Sequence, residues 1–216
     1  MTDNPIFQEI DEDLERQKLE ALWKRYGGLV IGVAIIIIVS TGTYTAWQSW
    51  RTKQEQQETG DLITILEDTS ADTTKQIAAL QAFADKYHGE TQGALAGLQA
   101  AAIAAKSGDA KKAAALYDGV AGDSKADPAL RQLADLLSVQ TQMDDGDPVS
   151  LQQRLQPLLA DNAPWRYSAM EDAAFLALKA GDKPKAKQIF TELSQDAAAP
   201  QGIAARANDM LRFIGE

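Results

Sequence analysis

The punctuation of the chain beyond residue 100 recurs at a fixed interval, and that interval restricts the fold more than any single segment does. Pro128, Pro164 and Pro200 stand 36 residues apart each time, while Gly108-Asp109, Gly146-Asp147 and Gly181-Asp182 stand 38 and 35 apart. A proline is harmless in the first turn of a helix, because the N–H it lacks has no partner there. A glycine can close a helix in the left-handed conformation, and an aspartate can cap the next one. The two signals interleave in one period. Together they describe a helix, a tight turn, a second helix and a looser turn, repeated every 35 to 38 residues, which is the pattern of a helical solenoid.

The segments between the punctuation marks agree with this. Beyond Asp72 they are rich in alanine and leucine, and apolar residues recur at helical spacing. The predicted helices run from Thr73 to Tyr87, Thr91 to Lys106, Asp109 to Val120, Asp127 to Gln142, Pro148 to Ala160, Trp165 to Ala180, Asp182 to Gln195 and Pro200 to Ile214. No stretch alternates as a half-buried strand does. The expected fold class is all-α, with about three and a half to four helix pairs and the last helix as a cap.

Before the repeats lies a run without charge, Gly27 to Trp47, with Ile35 to Val39 at its centre. Its 21 residues extend about 31 Å as a helix, close to the roughly 30 Å hydrocarbon core of a bilayer. Trp23, Lys24, Arg25 and Tyr26 flank one end, and Tyr44, Trp47, Trp50 and Arg51 the other, as interfacial anchors do. One transmembrane helix is therefore expected. A cleaved signal peptide requires a short basic leader and a shorter core, whereas this leader is long and acidic. Four basic residues lie within 15 positions before the span and two within 15 positions after it, so the N-terminus is expected in the cytoplasm. In a bacterium this places the domain after residue 50 in the periplasm. The lack of cysteine permits that compartment without proving it.

The layout that follows is a cytoplasmic amphipathic leader over 1–26, the span over 27–47, a juxtamembrane helix over 48–71 that enters the solenoid, and a repeat domain over 72–216. In the leader, Ile6, Ile10, Leu14 and Leu22 fall at helical spacing. They suit either a handle for a cytosolic partner or an interfacial leader. Within the span, Gly28 and Gly32 share one helix face, where another membrane helix can approach closely.

Residues 51–216 hold 17 basic and 24 acidic residues with no basic block, which makes nucleic acid and anionic lipid poor partners. Residue types needed for catalysis are scarce. There is no cysteine and a single histidine, His88, in a polar turn. Asp144, Asp145 and Asp147 lack the alternation and the later glutamate of a calcium loop, and read as a helix end and a cap. No glycine-rich loop follows a strand, so no cofactor is expected. An enzyme is not the expected class.

The segments carrying Gly108, Asp109, Ala113 and Tyr117, and again Gly181, Asp182, Ala186 and Phe190, resemble the second helix of tetratricopeptide repeats, with Leu151 and Leu155 in the middle repeat. With the leader from Ile10 to Gly27, the single span and the segment from Phe83 to Ala101, the whole chain resembles the YfgM-like family of inner-membrane proteins. That resemblance implies a right-handed tetratricopeptide-like α-solenoid on a transmembrane anchor. It also implies a non-enzymatic scaffold that is an ancillary subunit of the SecYEG translocon, with a membrane-anchored PpiD-type chaperone as partner and unfolded client chains as possible ligands. The alternative is a membrane-bound regulator whose leader binds a cytoplasmic stress-response regulator.

Carrying the repeat register back from Ala113, Leu151 and Ala186 directs Leu95, Leu98, Leu133, Leu136, Phe175 and Leu178 towards a partner-binding groove, rimmed by Gln99, Gln132 and Glu171. The competing assignment places the same apolar residues in the core of a short, tightly wound solenoid.

Overall fold

Aspartates start the helices. Asp72 accepts from the backbone N–H groups of Thr74 and Lys75, Asp109 from Lys112, Asp127 from Ala129 and Leu130, Asp147 from Ser150 and Asp182 from Lys185. Each satisfies N–H groups that a helix start leaves without partners. The computed structural model describes Tyr44, Trp47, Gln48, Gln57 and residues 59–67 and 72–215. Residues 59–67 are helical, and eight helices follow: α1 (Thr73–Lys86), α2 (Thr91–Lys106), α3 (Ala110–Gly122), α4 (Pro128–Gln142), α5 (Pro148–Leu155), α6 (Arg166–Lys179), α7 (Lys183–Gln195) and α8 (Gln201–Gly215). No strand occurs among the described residues. The leader, almost all of the 27–47 run, and Gly28 and Gly32 lie outside them. Among the described residues no helix is long and apolar enough to cross a membrane.

The Gly-Asp turns work as the period requires at two of their three places. Gly108 and Gly181 adopt φ of 84° and 82°, a conformation open to glycine at little steric cost. The N–H of Gly108 reaches the carbonyl of Ala105 and that of Asp109 the carbonyl of Ala104, and Gly181 and Asp182 repeat the pattern on Leu178 and Ala177. This is the paired closure of a Schellman motif. Gly146 does not take a positive φ. It is required for space instead, since a Cβ there would meet the carbonyl oxygen of Gln142 at 2.7 Å and Leu151 at 2.9 Å. A second departure follows α5, which tightens into a 3₁₀ turn over Gln156–Leu159. Pro157 causes it, because its ring has no N–H to continue the α-helical ladder.

Consecutive helices pack on one another, and first helices also stack on first helices, α2 on α4 and α6 on α8. The pairs are α2/α3, α4/α5 and α6/α7, preceded by residues 59–67 with α1 and followed by α8, and residues Glu58–Glu216 make one compact unit. Small side chains let the pairs close. Ala100, Ala101, Ala104, Ala113, Ala134, Ala174, Ala177 and Ala186 are fully buried, and a Cβ on Gly97 would lie 2.5 Å from Val120 of α3. Tyr117 and Phe190 are buried four positions after the small Ala113 and Ala186, and the middle repeat departs from this with two leucines, Leu151 and Leu155, both buried. The observed architecture is thus an all-helical array of tetratricopeptide-like pairs. Because Ala186 is fully buried in the core that Ala174 and Ala177 of α6 share, Ala186→Leu is expected to overpack the α6/α7 pair by about 1 to 3 kcal/mol. Denaturant titration followed by circular dichroism checks this, and an unchanged midpoint would refute the packing described.

Candidate functional site

A face can be located by following which side of each first helix its neighbours leave uncovered. On α6, Met170, Ala174 and Ala177 pack with Ala186, Phe190 and Leu193 of α7, while Ala169, Ala173 and Leu176 pack with Leu151, Leu155 and Leu158. The side turned away from the second helices carries Ser168, Asp172 and Lys179, with Phe175 at its edge. Phe175 leans towards α7, where its ring meets Phe190 edge-on at 5.4 Å. The Gly-Asp spacings of 38 and 35 map this side onto Leu133, Leu137 and Gln140 of α4, and onto Leu95, Gln99 and Ala102 of α2.

Burial follows that register. Leu95, Gln99, Ala102 and Gln140 are exposed, and Leu133, Leu137, Ser168 and Phe175 are half-buried. Of the residues predicted for a groove, Leu95, at 44 % exposure, lies on this face, Leu133 lies on it half-buried against the α2/α3 core, and Phe175 lies at its edge. Leu98 and Leu136 do not, being 9 % and 3 % exposed. They sit three residues further on, on the flank facing the next repeat, and Leu136 packs in the same core as Ala169 and Ala173 of α6. Leu178 is half-buried against the core of α7 and α8. Of the expected rim, Gln99 is exposed and Gln132 half-buried, whereas Glu171 is buried.

Polar bonds tie the first helices into a register. Gln140 Nε2 of α4 donates to Asp172 Oδ2 of α6 at 2.8 Å. Arg206 of α8 donates to both carboxylate oxygens of Glu171, at 2.6 and 2.7 Å. The Lys179 ammonium donates to the carbonyls of Met143, Asp144 and Gly146 at the end of α4. Ala129 of α4 accepts from Trp165 Nε1 at 2.8 Å. The carboxylates at 171 and 172 are the buried acids among the described residues, 8 % and 7 % exposed. Burial, opposed by the Gln140 hydrogen bond and reinforced by the charge of Glu171, pushes Asp172 up to about 6.

Two clefts lie off this face. One of about 290 Å³ opens between α1, α2 and α3 beside Asp85, His88, Gly97 and Asp123; His88 there is exposed, 3.4 Å from Asp123. The other, about 330 Å³, is lined by Arg131, Gln132, Asp135 and Pro157. Neither is lined by a serine, threonine, cysteine, lysine or tyrosine. The four-residue run from Asp144 to Asp147 ends in the cap of α5, where Ser150 donates through both N and Oγ to Asp147.

Repeated helix pairs whose neighbouring units pack on one another define a helical-repeat protein. The chain belongs to the tetratricopeptide repeat-like domain family, whose match covers residues 20–197. No curated protein and no solved structure matches it. Domains of this family are in general non-catalytic scaffolds for protein interactions. Leu137, Gln140 and Asp172 were not among the residues predicted from sequence, although the Gly-Asp spacing applied to Gln99 leads to Leu137 and Asp172.

The Asp172 environment has a measurable consequence. Its folded value of about 6 lies above the ordinary 3.8, so the folded state favours the protonated carboxyl. The penalty is absent below about pH 4, and it develops as pH rises through 6. Asp172→Asn should therefore raise stability at pH 7 by about 1 to 3 kcal/mol and leave it nearly unchanged at pH 3.5. Melting curves at the two pH values test this, and an equal shift at both would contradict it.

Proposed function

We propose that the chain is a single-pass inner-membrane scaffold of the YfgM-like type, anchored by residues 27–47, with its leader in the cytoplasm and its repeat domain in the periplasm. In this reading it holds a PpiD-type chaperone beside the SecYEG translocon, so that chains emerging from the channel meet the chaperone early. The observation that carries it is the first-helix face, where Leu95, Leu133 and Leu137 line up with Gln99 and Gln140 on adjacent helices. A row of apolar side chains on a rigid array suits the capture of a partner's segment. The uncharged run and its flanking basic bias support the anchor. The acidic balance of residues 51–216 argues for protein partners over nucleic acid.

The topology is tested by a reporter fused after Glu216, which should be active in the periplasm, on a mature protein that retains residues 1–26. Cytoplasmic activity, or a mature chain beginning near Trp47, would overturn it. The face is tested by replacing Leu133 and Leu137 together with serine. Mild-detergent purification of the wild type is expected to bring down the translocon and the chaperone, and the double variant to lose the chaperone while still melting cooperatively. Recovery of a soluble cytoplasmic regulator in their place would support the leader-centred alternative.

A further inference from the structure

Asp172 is the carboxylate that the first-helix face leaves without a cation. It is 7 % exposed, and Oδ2 is held by the neutral amide of Gln140, while Oδ1 has no hydrogen bond among the described residues. Among the described residues no cation bonds to Asp172. Arg206 of α8 is bound bidentately by Glu171, and Lys179, two turns further along α6, is turned onto the carbonyls at the end of α4. Arg154 of α5 pairs with Asp118 and Asp135, and Lys185 of α7 bonds to Gln152. On α4, Arg131 donates to the carbonyl of Ala121, and Gln140 is the residue bonded to Asp172. A buried carboxylate without a cation is destabilising, and an asparagine would serve the bond to Gln140 as well. The charge therefore has no structural role in the array. It stands on the same face as Leu137, one repeat further on, with Phe175 one turn away.

From this placement we propose that the face between α4 and α6 takes a partner segment carrying a lysine or arginine next to apolar side chains, with the cation paired to Asp172 and the apolar groups on Leu133 and Leu137. The inference rests on the reading of the first-helix face as a docking surface and specifies its occupant. The bound cation offsets the desolvation of the carboxylate, and Gln140 holds one oxygen so that the other faces the incoming charge. Recognition then depends on an ionised Asp172, with Glu171 already neutralised by Arg206.

The test uses the full chain in mild detergent and three labelled decapeptides in which leucines flank a central lysine, glutamine or glutamate. Fluorescence polarisation at pH 7.5 is expected to show the lysine peptide binding about tenfold more tightly than the glutamine peptide, the scale of one charge-assisted hydrogen bond, and the glutamate peptide binding most weakly. At pH 5 the preference for lysine should shrink. Asp172→Asn should abolish it while retaining the affinity for the glutamine peptide. Equal binding of the lysine and glutamine peptides by the wild type, or a lysine preference that survives in Asp172→Asn, overturns the inference and leaves an apolar docking face. Absence of binding by all three peptides overturns the docking face itself.

Discussion

One backbone device, used twice, sets the geometry on which the array depends. At Gly108-Asp109 and Gly181-Asp182 a single aspartate ends one helix with its N–H and begins the next with its carboxylate. No residue is left between the two roles, so the second helix must turn back on the first within two positions. The left-handed glycine makes the reversal at little steric cost, and the aspartate satisfies N–H groups of the new helix that would otherwise have no partner. Once the reversal is fixed, Ala101 and Ala104 of α2, or Ala174 and Ala177 of α6, are brought onto their second helices as a consequence. These positions are 0 % exposed, so the pair closes to a distance that larger side chains would prevent.

Longer-range polar bonds then relate one repeat to the next. Trp165 to Ala129, Lys179 to Met143 and Arg154 to Asp118 each span 36 residues, and Arg206 to Glu171 spans 35, the same interval that separates the prolines. The side chain of one repeat thus reads the backbone or side chain of its predecessor at an equivalent position. In a linear array only neighbouring units touch, and such bonds fix the stagger of first helices against each other. α8 carries Asn208, Asp209 and Arg212 exposed, with Phe213 beside them at 73 % exposure.

The helices were legible in the sequence because their signals are local. Asp72, Asp109, Asp127, Asp147 and Asp182 precede helices, and a cap needs nothing beyond its own turn to act. The departures come from effects beyond that turn. Pro157 tightens the end of α5 through its missing N–H, and Gly146 answers to the crowding of Gln142 and Leu151, which becomes apparent only once α5 is folded back. The face was legible in part. Spacing tells which residues share a side of a helix, but the side that meets the next repeat depends on how adjacent first helices lie against each other. Leu98 and Leu136 share a row in sequence with Leu95 and Leu133 and are nevertheless buried, because three positions of rotation bring them onto the neighbouring repeat. Asp172 was missed for a related reason: it is buried where Gln140 of α4 bonds to it, a contact that spacing along its own helix does not show.

Stability and recognition are largely separated in this architecture. The sides of the helices that meet within and between pairs carry the fully buried alanines and the three apolar cores, whereas the first-helix face carries the exposed Leu95, Gln99 and Gln140 and, half-buried against the α2/α3 core, Leu133 and Leu137. Asp172 crosses that division, since it is as buried as the core yet faces the surface with a charge the fold does not use. Burial raises its proton affinity, so the same desolvation that weakens the free protein near neutral pH would strengthen the attraction for an arriving cation. A carboxylate in water gains little from such a partner because solvation competes, whereas one already largely withdrawn from water has less solvation left to lose. The desolvation is met when the chain folds, and a cationic partner then benefits from it on binding.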